Sequence, residues 1–218
     1  MSKFPSREEA GRSLAAQLLK FQAQQPLVMP VLKGGVPTAV PVAAALNTTL
    51  LPVPIRSLHI PWQRDTIFGY VTHQGDLHLN QPLVGQVRLT QQEIRRMARK
   101  ECLALQTDLE SWGVSLPENL TNRTTLLVDD GMHSGWTMFS AVETVRHLGA
   151  ARIVVAVPVT HFRAKRFLSK HCDEVISLLT EDIALYQIDN YYQDFPDLTG
   201  DEIKSLLRTA SSTHSTAA

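Results

Sequence analysis

Thr124-Thr125-Leu126-Leu127-Val128-Asp129-Asp130-Gly131-Met132-His133-Ser134-Gly135-Trp136-Thr137 is the stretch that decides the fold. It opens as an apolar, β-branched run of the length that suits a buried strand. It closes on two carboxylates, a short loop holding Gly131 and Gly135, and a helix. Met138, Ala141, Val142, Val145 and Leu148 recur at helical spacing, and Gly149 supplies the stop. A strand, a tight loop and a helix N-terminus form an anion site, because unpaired backbone N–H groups and the positive end of the helix dipole converge on one spot.

The acids narrow the choice of ligand. No Gly-Lys-Ser/Thr follows the glycines, which excludes a Walker loop, and the absence of G-x-G excludes the dinucleotide fingerprint. Adjacent carboxylates beside a phosphate loop repel a polyphosphate unless they hold hydroxyls or a Mg²⁺ ion. A sugar phosphate meets both demands, with ribose hydroxyls on Asp129 and Asp130 and the 5′-phosphate in the loop. An acid-capped turn that binds nothing is the plainer account of the same residues. Val128-Asp129-Asp130-Gly131-Met132-His133-Ser134-Gly135-Trp136-Thr137 resembles the phosphoribosyl-pyrophosphate motif of type I phosphoribosyltransferases. It departs from that motif at Gly131, where an apolar residue is usual, at His133, where a small residue or Asp is usual, and at the bulky Trp136.

Length and composition set the outer bounds. A chain of 218 residues fits one domain and buries roughly 70% of its unfolded surface. Lys and Arg number 21 and Asp and Glu number 21, so bulk charge favours neither nucleic acid nor an anionic membrane. The N-terminus lacks a secretory pattern and no apolar run reaches bilayer length, which leads to the expectation of a cytoplasmic protein with no membrane. Cys102 and Cys172 lack metal-ligand spacing and read as reduced, packed thiols.

Along the chain, Ser6 and Glu9 form a capping box before a stripe of Ala10, Leu14, Leu18 and Phe21. Pro26 to Leu32 reads as a buried strand, and Pro30 places it near an edge or bulge. Lys33-Gly34-Gly35 follows, then a helix over Val36 to Leu46 with Pro37 in its first turn, then a strand from about Leu50 to Arg56. Ile60 to Asp65 has the makings of a mobile loop. Ile67 to Val71 and Asp76 to Leu79 read as a hairpin. Thr90 and Glu93 cap a helix reaching about Trp112, with Arg95, Arg96, Arg99 and Lys100 off its core stripe as a solvated or RNA-contacting face. Arg152 to Pro158 and Glu174 to Leu179 are further strands, and Ile203 to Leu207 a short closing helix. Thr209 onward reads as disordered. Alternating strands and helices give an α/β fold, a doubly wound, mostly parallel sheet with helices on both faces.

The resemblance covers nearly the whole chain. It implies one domain over residues 1–208 with a small hood at 181–200, a hairpin, lid and helix insertion at 57–112, and a tail at 209–218. It implies transfer of a phosphoribosyl group from phosphoribosyl pyrophosphate to a nucleobase, a purine by preference, with Mg²⁺ as cofactor. Loop amides from Gly131 to Thr137, with the Ser134 and Thr137 hydroxyls, would hold the 5′-phosphate. Lys33, Gly34, Gly35 and Arg56 would hold pyrophosphate, because Leu32-Lys33-Gly34-Gly35 is the form seen in hypoxanthine-guanine salvage enzymes, where a non-proline cis peptide strains the loop. Asp129, Asp130 and Asp194 would face the metal, and Phe162 and Tyr186 the base. His133 stands where purine enzymes carry a proton-exchanging carboxylate, a role imidazole also performs. A homodimer is expected. A non-catalytic sensor of phosphoribosyl pyrophosphate or nucleotide, or an RNA-binding attenuator on the same fold, are the alternatives.

Overall fold

Apolar residues at helical spacing behind a serine cap start the ordered chain. The computed structural model describes residues 3–31 and 33–215, with backbone only for 64, 65 and 211–215. Helix α1 (Arg7–Leu18) begins where the Ser6 hydroxyl accepts from the Glu9 amide, and it runs into a 3₁₀ segment. Strand β1 (Leu27–Pro30) and helix α2 (Gly35–Leu46) follow, then β2 (Ile55–Ile60), β3 (Gln63–Thr72) and β4 (Leu77–Leu79). Next come α3 (Gln81–Val84), α4 (Gln91–Trp112), β5 (Thr124–Val128) and α5 (Trp136–His147). The chain ends with β6 (Arg152–His161), α6 (Phe162–Leu168), β7 (Glu174–Glu181) and α7 (Gly200–Ser215). Two compact units result: Met1–Val53 with Leu116–Ala218, and Pro54–Ser115.

The larger unit holds a parallel sheet of order β1-β5-β6-β7. Consecutive residues of β5 and β6 are fully buried, so both faces of the sheet are covered, as a doubly wound fold requires. Pro30 sits on the outermost of these strands, where its missing N–H costs the ladder with β5 nothing. Residues 49–53 run alongside β1, with Leu51 N–H donating to Val28 O and Val53 N–H to Pro30 O. The expected Leu50–Arg56 strand is therefore not one piece. Pro52 and Pro54 lack donors, and Ile55 instead starts the antiparallel sheet of the other unit.

Helix α1 lies against α2 at Gly11, where a Cβ would collide with the Thr38 carbonyl and reach Pro41 Cγ at 2.6 Å. Phe4 pairs with Tyr192 across two main-chain bonds, so the 182–199 segment is stitched to the N-terminus. Thr199 and Glu202 form a capping box, and Ile203, Leu207 and Ala210 are buried. That cap and stripe carry α7 through Ser215, well past Leu207 and through the first part of the expected tail, whose residues 216–218 lie outside the described ones. Cys172 donates to Leu168 O, and burial pushes its thiol up to about 11, which makes it inert.

The second unit is the antiparallel sheet β2-β3-β4 with α4. Leu58, Ile60, Phe68 and Val71 from the strands pack with Ile94 and Ala98 from the helix. Residues 60–65, expected as a loop, form a tight β2–β3 turn at Pro61-Trp62 and the start of β3. Thr90 and Glu93 close their capping box, and Arg95, Arg96, Arg99 and Lys100 are exposed.

Gly11→Ala should lower the unfolding free energy by about 1–3 kcal/mol through overpacking of α1 on α2. Gly85→Ala, whose Cβ meets nothing closer than 3.5 Å, should stay within about 0.5 kcal/mol. Urea unfolding of both variants checks the pair.

Candidate active site

The parallel sheet ends β5 at Val128, and the next residues leave it beside the start of α2. Val31 N–H donates to Val128 O at 2.8 Å, which brings the turn after β1 against the turn after β5. A Cβ on Gly34 would strike the Asp130 carboxylate, and one on Gly35 would meet Val128 O at 2.5 Å and Asp129 Oδ1 at 3.2 Å. Glycine is required there because the acids occupy the space. The two stretches read from sequence as phosphate candidates thus adjoin. Lys33 is exposed on its rim, and the Leu32–Lys33 peptide falls on Leu32, outside the described residues.

The two acids do different things. Asp130 turns inward and accepts from Arg7 Nε at 2.8 Å, with both side chains at most 10% exposed. The same guanidinium donates to Pro196 O and lies 3.5 Å over the Phe195 ring, while Tyr192 Oη donates to Asp130 O. Asp129 is half-buried, and its Oδ1 accepts from the Asp130 amide at 2.9 Å. Asp130 therefore departs from the expectation of two carboxylates facing a sugar side by side. Burial pushes Asp129 well above the ordinary carboxylate range, and the Asp130 charge adds to it. Burial also raises Asp130, against the opposing pull of Arg7.

After the acids the loop is zipped to β6. Met132 N–H donates to Val159 O and Met132 O accepts from His161 N–H, so the Met132 amide, expected on a phosphate, is already satisfied. Gly131 has no room for the family's usual apolar side chain, since a Cβ would come within 2.7 Å of Ile188 Cγ2. The amides of His133, Ser134 and Gly135 donate to no described residue, and they lead into the first turn of α5. Ser134 and His133 are exposed; Trp136 and Thr137 are half-buried.

The remaining candidates divide. Tyr186 is 2% exposed, stacked on His133 at 5.8 Å between ring centroids and flanked by His161 and Tyr191. Its faces are covered, so it supports the His133 ring and does not present a surface to a base. Phe162 is exposed and lines a cleft on α6. Arg56 is held inside the second unit by Glu101 at 2.8 Å and Asp108 at 2.6 Å, both on α4. Asp194 is exposed, and among the described residues no group of three His, Cys, Asp or Glu side chains is placed to hold a metal. The sequence reading missed Arg7 as the partner of Asp130. A signal was present: a cation at the first position of a helix opposes the dipole unless a carboxylate elsewhere holds it.

Comparison with known proteins agrees with this geometry. The phosphoribosyl transferase domain model matches residues 3–190. Proteins from two Mycobacterium tuberculosis strains, both provisionally named phosphoribosyl transferases, are 30% identical over 211 residues, 96% of this chain. The chain spans about half the length of these curated relatives, 47%. The crystal structure of TT1426 from Thermus thermophilus superimposes with a TM-score of 0.76 at 29% identity, covering 94% of this chain and 97% of that one. No helix among the described residues is long and apolar enough to cross a membrane. With its parallel sheet, and an acidic pair and glycine loop at the carboxyl end of β5, the chain belongs to the phosphoribosyl transferase domain family.

Proposed function

We propose that this chain transfers the phosphoribosyl group of phosphoribosyl pyrophosphate to a nitrogenous base, releasing pyrophosphate. The observation that carries the reading is the junction of Asp129, the Lys33-Gly34-Gly35 turn and the open amides of residues 133–135 at one sheet edge. Preference for a purine rests on the resemblance of Leu32-Lys33-Gly34-Gly35 to salvage enzymes.

Asp129 Oδ2 accepts from a ribose hydroxyl, while the amides of His133, Ser134 and Gly135 and the α5 dipole hold the 5′-phosphate. Lys33 faces the departing pyrophosphate. Asp130 is a positioning residue, locking the turn through Arg7. His133, steadied on Tyr186, exchanges a proton with the incoming base. The donor set fits Mg²⁺, which binds through one or two carboxylates and keeps waters and substrate oxygens as its other ligands. Held by Asp129 and the substrate, the ion would neutralise the leaving group. Little covalent work falls to the protein, so orientation and fixed charge supply the rate. A non-catalytic sensor of the same ligand is the second reading. The Arg7–Asp130 pair favours it, because it withdraws one of the two acids from the ribose.

Pyrophosphate release measured with Mg²⁺ across a panel of purine and pyrimidine bases tests the enzyme reading. Turnover with at least one base is expected; tight phosphoribosyl pyrophosphate binding with release from none would leave the sensor. Asp129→Asn should weaken phosphoribosyl pyrophosphate binding by about tenfold or more and cut turnover by about a hundredfold.

The same variant has a signed pH signature. A carboxylate raised in the folded state contributes stability that is present below its unfolded pKa, about 4, and is lost as pH rises through the folded value. Thermal melts of the ligand-free protein should show Asp129→Asn gaining on the wild type as pH rises from about 4 toward neutrality. A gap independent of pH would show that Asp129 is not held in a desolvated setting.

A further inference from the structure

Helix α6 and the end of β7 border a cleft of about 350 Å³ lined by Phe162, Arg163, Arg166, Phe167, Lys170 and Asp182. That volume lies in the range of small-ligand sites and accommodates a mononucleotide. Phe162, Arg163, Arg166 and Phe167 share one face of α6, and Lys170 follows in the turn just past its end. Three cations meet one carboxylate there. Elsewhere in this unit Arg7, Lys20, Arg146 and Arg152 are each paired with an acid. The side chains of Arg163, Arg166 and Lys170 make no ion pair or hydrogen bond with any described residue, and Asp182 stands 3.9 Å from His161. Phe162 is 46% exposed beside them.

We propose that this cleft binds a nucleoside polyphosphate, with the base on the Phe162 and Phe167 rings and the phosphates on Arg163, Arg166 and Lys170. Unpaired cations supply charge-assisted hydrogen bonds, and guanidinium forks match phosphate oxygens. The exposed ring supplies what a bare anion would not need. The zero formal charge of the chain favours a small anion over a nucleic acid strand. The site is separate from the 5′-phosphate loop yet touches it. Phe167 packs on Trp136 at 5.7 Å, and α6 crowds Gly135 so closely that a Cβ would meet Leu168 Cδ2 at 2.6 Å. Phe167 therefore links the cleft to the loop through one ring contact. The inference does not depend on turnover by the chain.

Calorimetric titration of the full chain with ATP, GTP, adenosine and inorganic triphosphate tests it. ATP and GTP should bind, with adenosine and triphosphate each weaker by about tenfold or more. The triple variant R163E/R166E/K170E should lose about tenfold or more in ATP affinity, and Arg166→Gln alone several-fold, with phosphoribosyl pyrophosphate affinity unchanged in both. Asp129→Asn should leave ATP affinity as it is. No nucleotide binding to the wild type at millimolar concentration, equal ATP affinity in the charge-reversed protein, or triphosphate binding as tightly as ATP would each overturn the proposal. Failure of pyrophosphate release alone would sink the enzyme reading and leave this site standing.

Discussion

A buried ion pair between Arg7 and Asp130 is the constraint on which the rest of the site depends. Two desolvated charges are costly to hold, and their attraction compensates only when every remaining donor and acceptor is matched. Here the matching is extensive: the guanidinium also reaches Pro196 O and the Phe195 face, and the Asp130 main chain accepts from Tyr192. The pair thereby fastens the first helix, the end of β5 and the segment after β7 at one point. Breaking it from either side would leave an uncompensated charge beside the glycine turn, so the turn and the pair stand or fall together.

That arrangement separates two neighbouring acids into different jobs. Asp130 is paired with Arg7 from within and fixes geometry, while Asp129 remains half-buried with its Oδ1 on the Asp130 amide. Burial raises both carboxyls; the Asp130 charge adds to the rise at Asp129, while Arg7 opposes it most strongly at Asp130. Asp129 is the acid beside the open amides of residues 133–135. A strained charge in that place is a cost that a hydroxyl donor or a cation removes on binding, which is how a site trades stability for affinity.

Much of this was legible from residue order. The strand, acid pair, loop and α5 helix follow from a buried apolar run ending in charges and from helical spacing up to Gly149. The α4 capping box and the 67–79 hairpin were equally plain, since each is set by local chemistry. What could not be read depends on partners far apart in sequence. Arg7 and Asp130 are 123 positions apart, and no local pattern joins them. Tyr186 reads as a stacking ring only through the resemblance to purine salvage enzymes, whereas its neighbours in space are His133, His161 and Tyr191. The Leu50–Arg56 run reads as a single strand by hydrophobicity alone. Two prolines divide it between sheets.

The loop's departures from the family pattern also acquire physical reasons once the fold is known. Gly131 is small because Ile188 and Val159 fill the space an apolar side chain would take. Trp136 is bulky because it closes an aromatic cluster with Phe139 and Phe167, which braces α5 against α6. His133 replaces a small residue or acid, and the buried Tyr186 ring beneath it gives the imidazole a platform. These substitutions compensate one another within a single layer of contacts: a smaller loop backbone at 131 admits Ile188, and larger rings at 133 and 136 are supported from below. The loop therefore keeps the open amides of residues 133–135 while resting on packing of its own. Backbone amides left open under altered side chains are what a site requires if its chemistry resides in main-chain donors and one carboxylate.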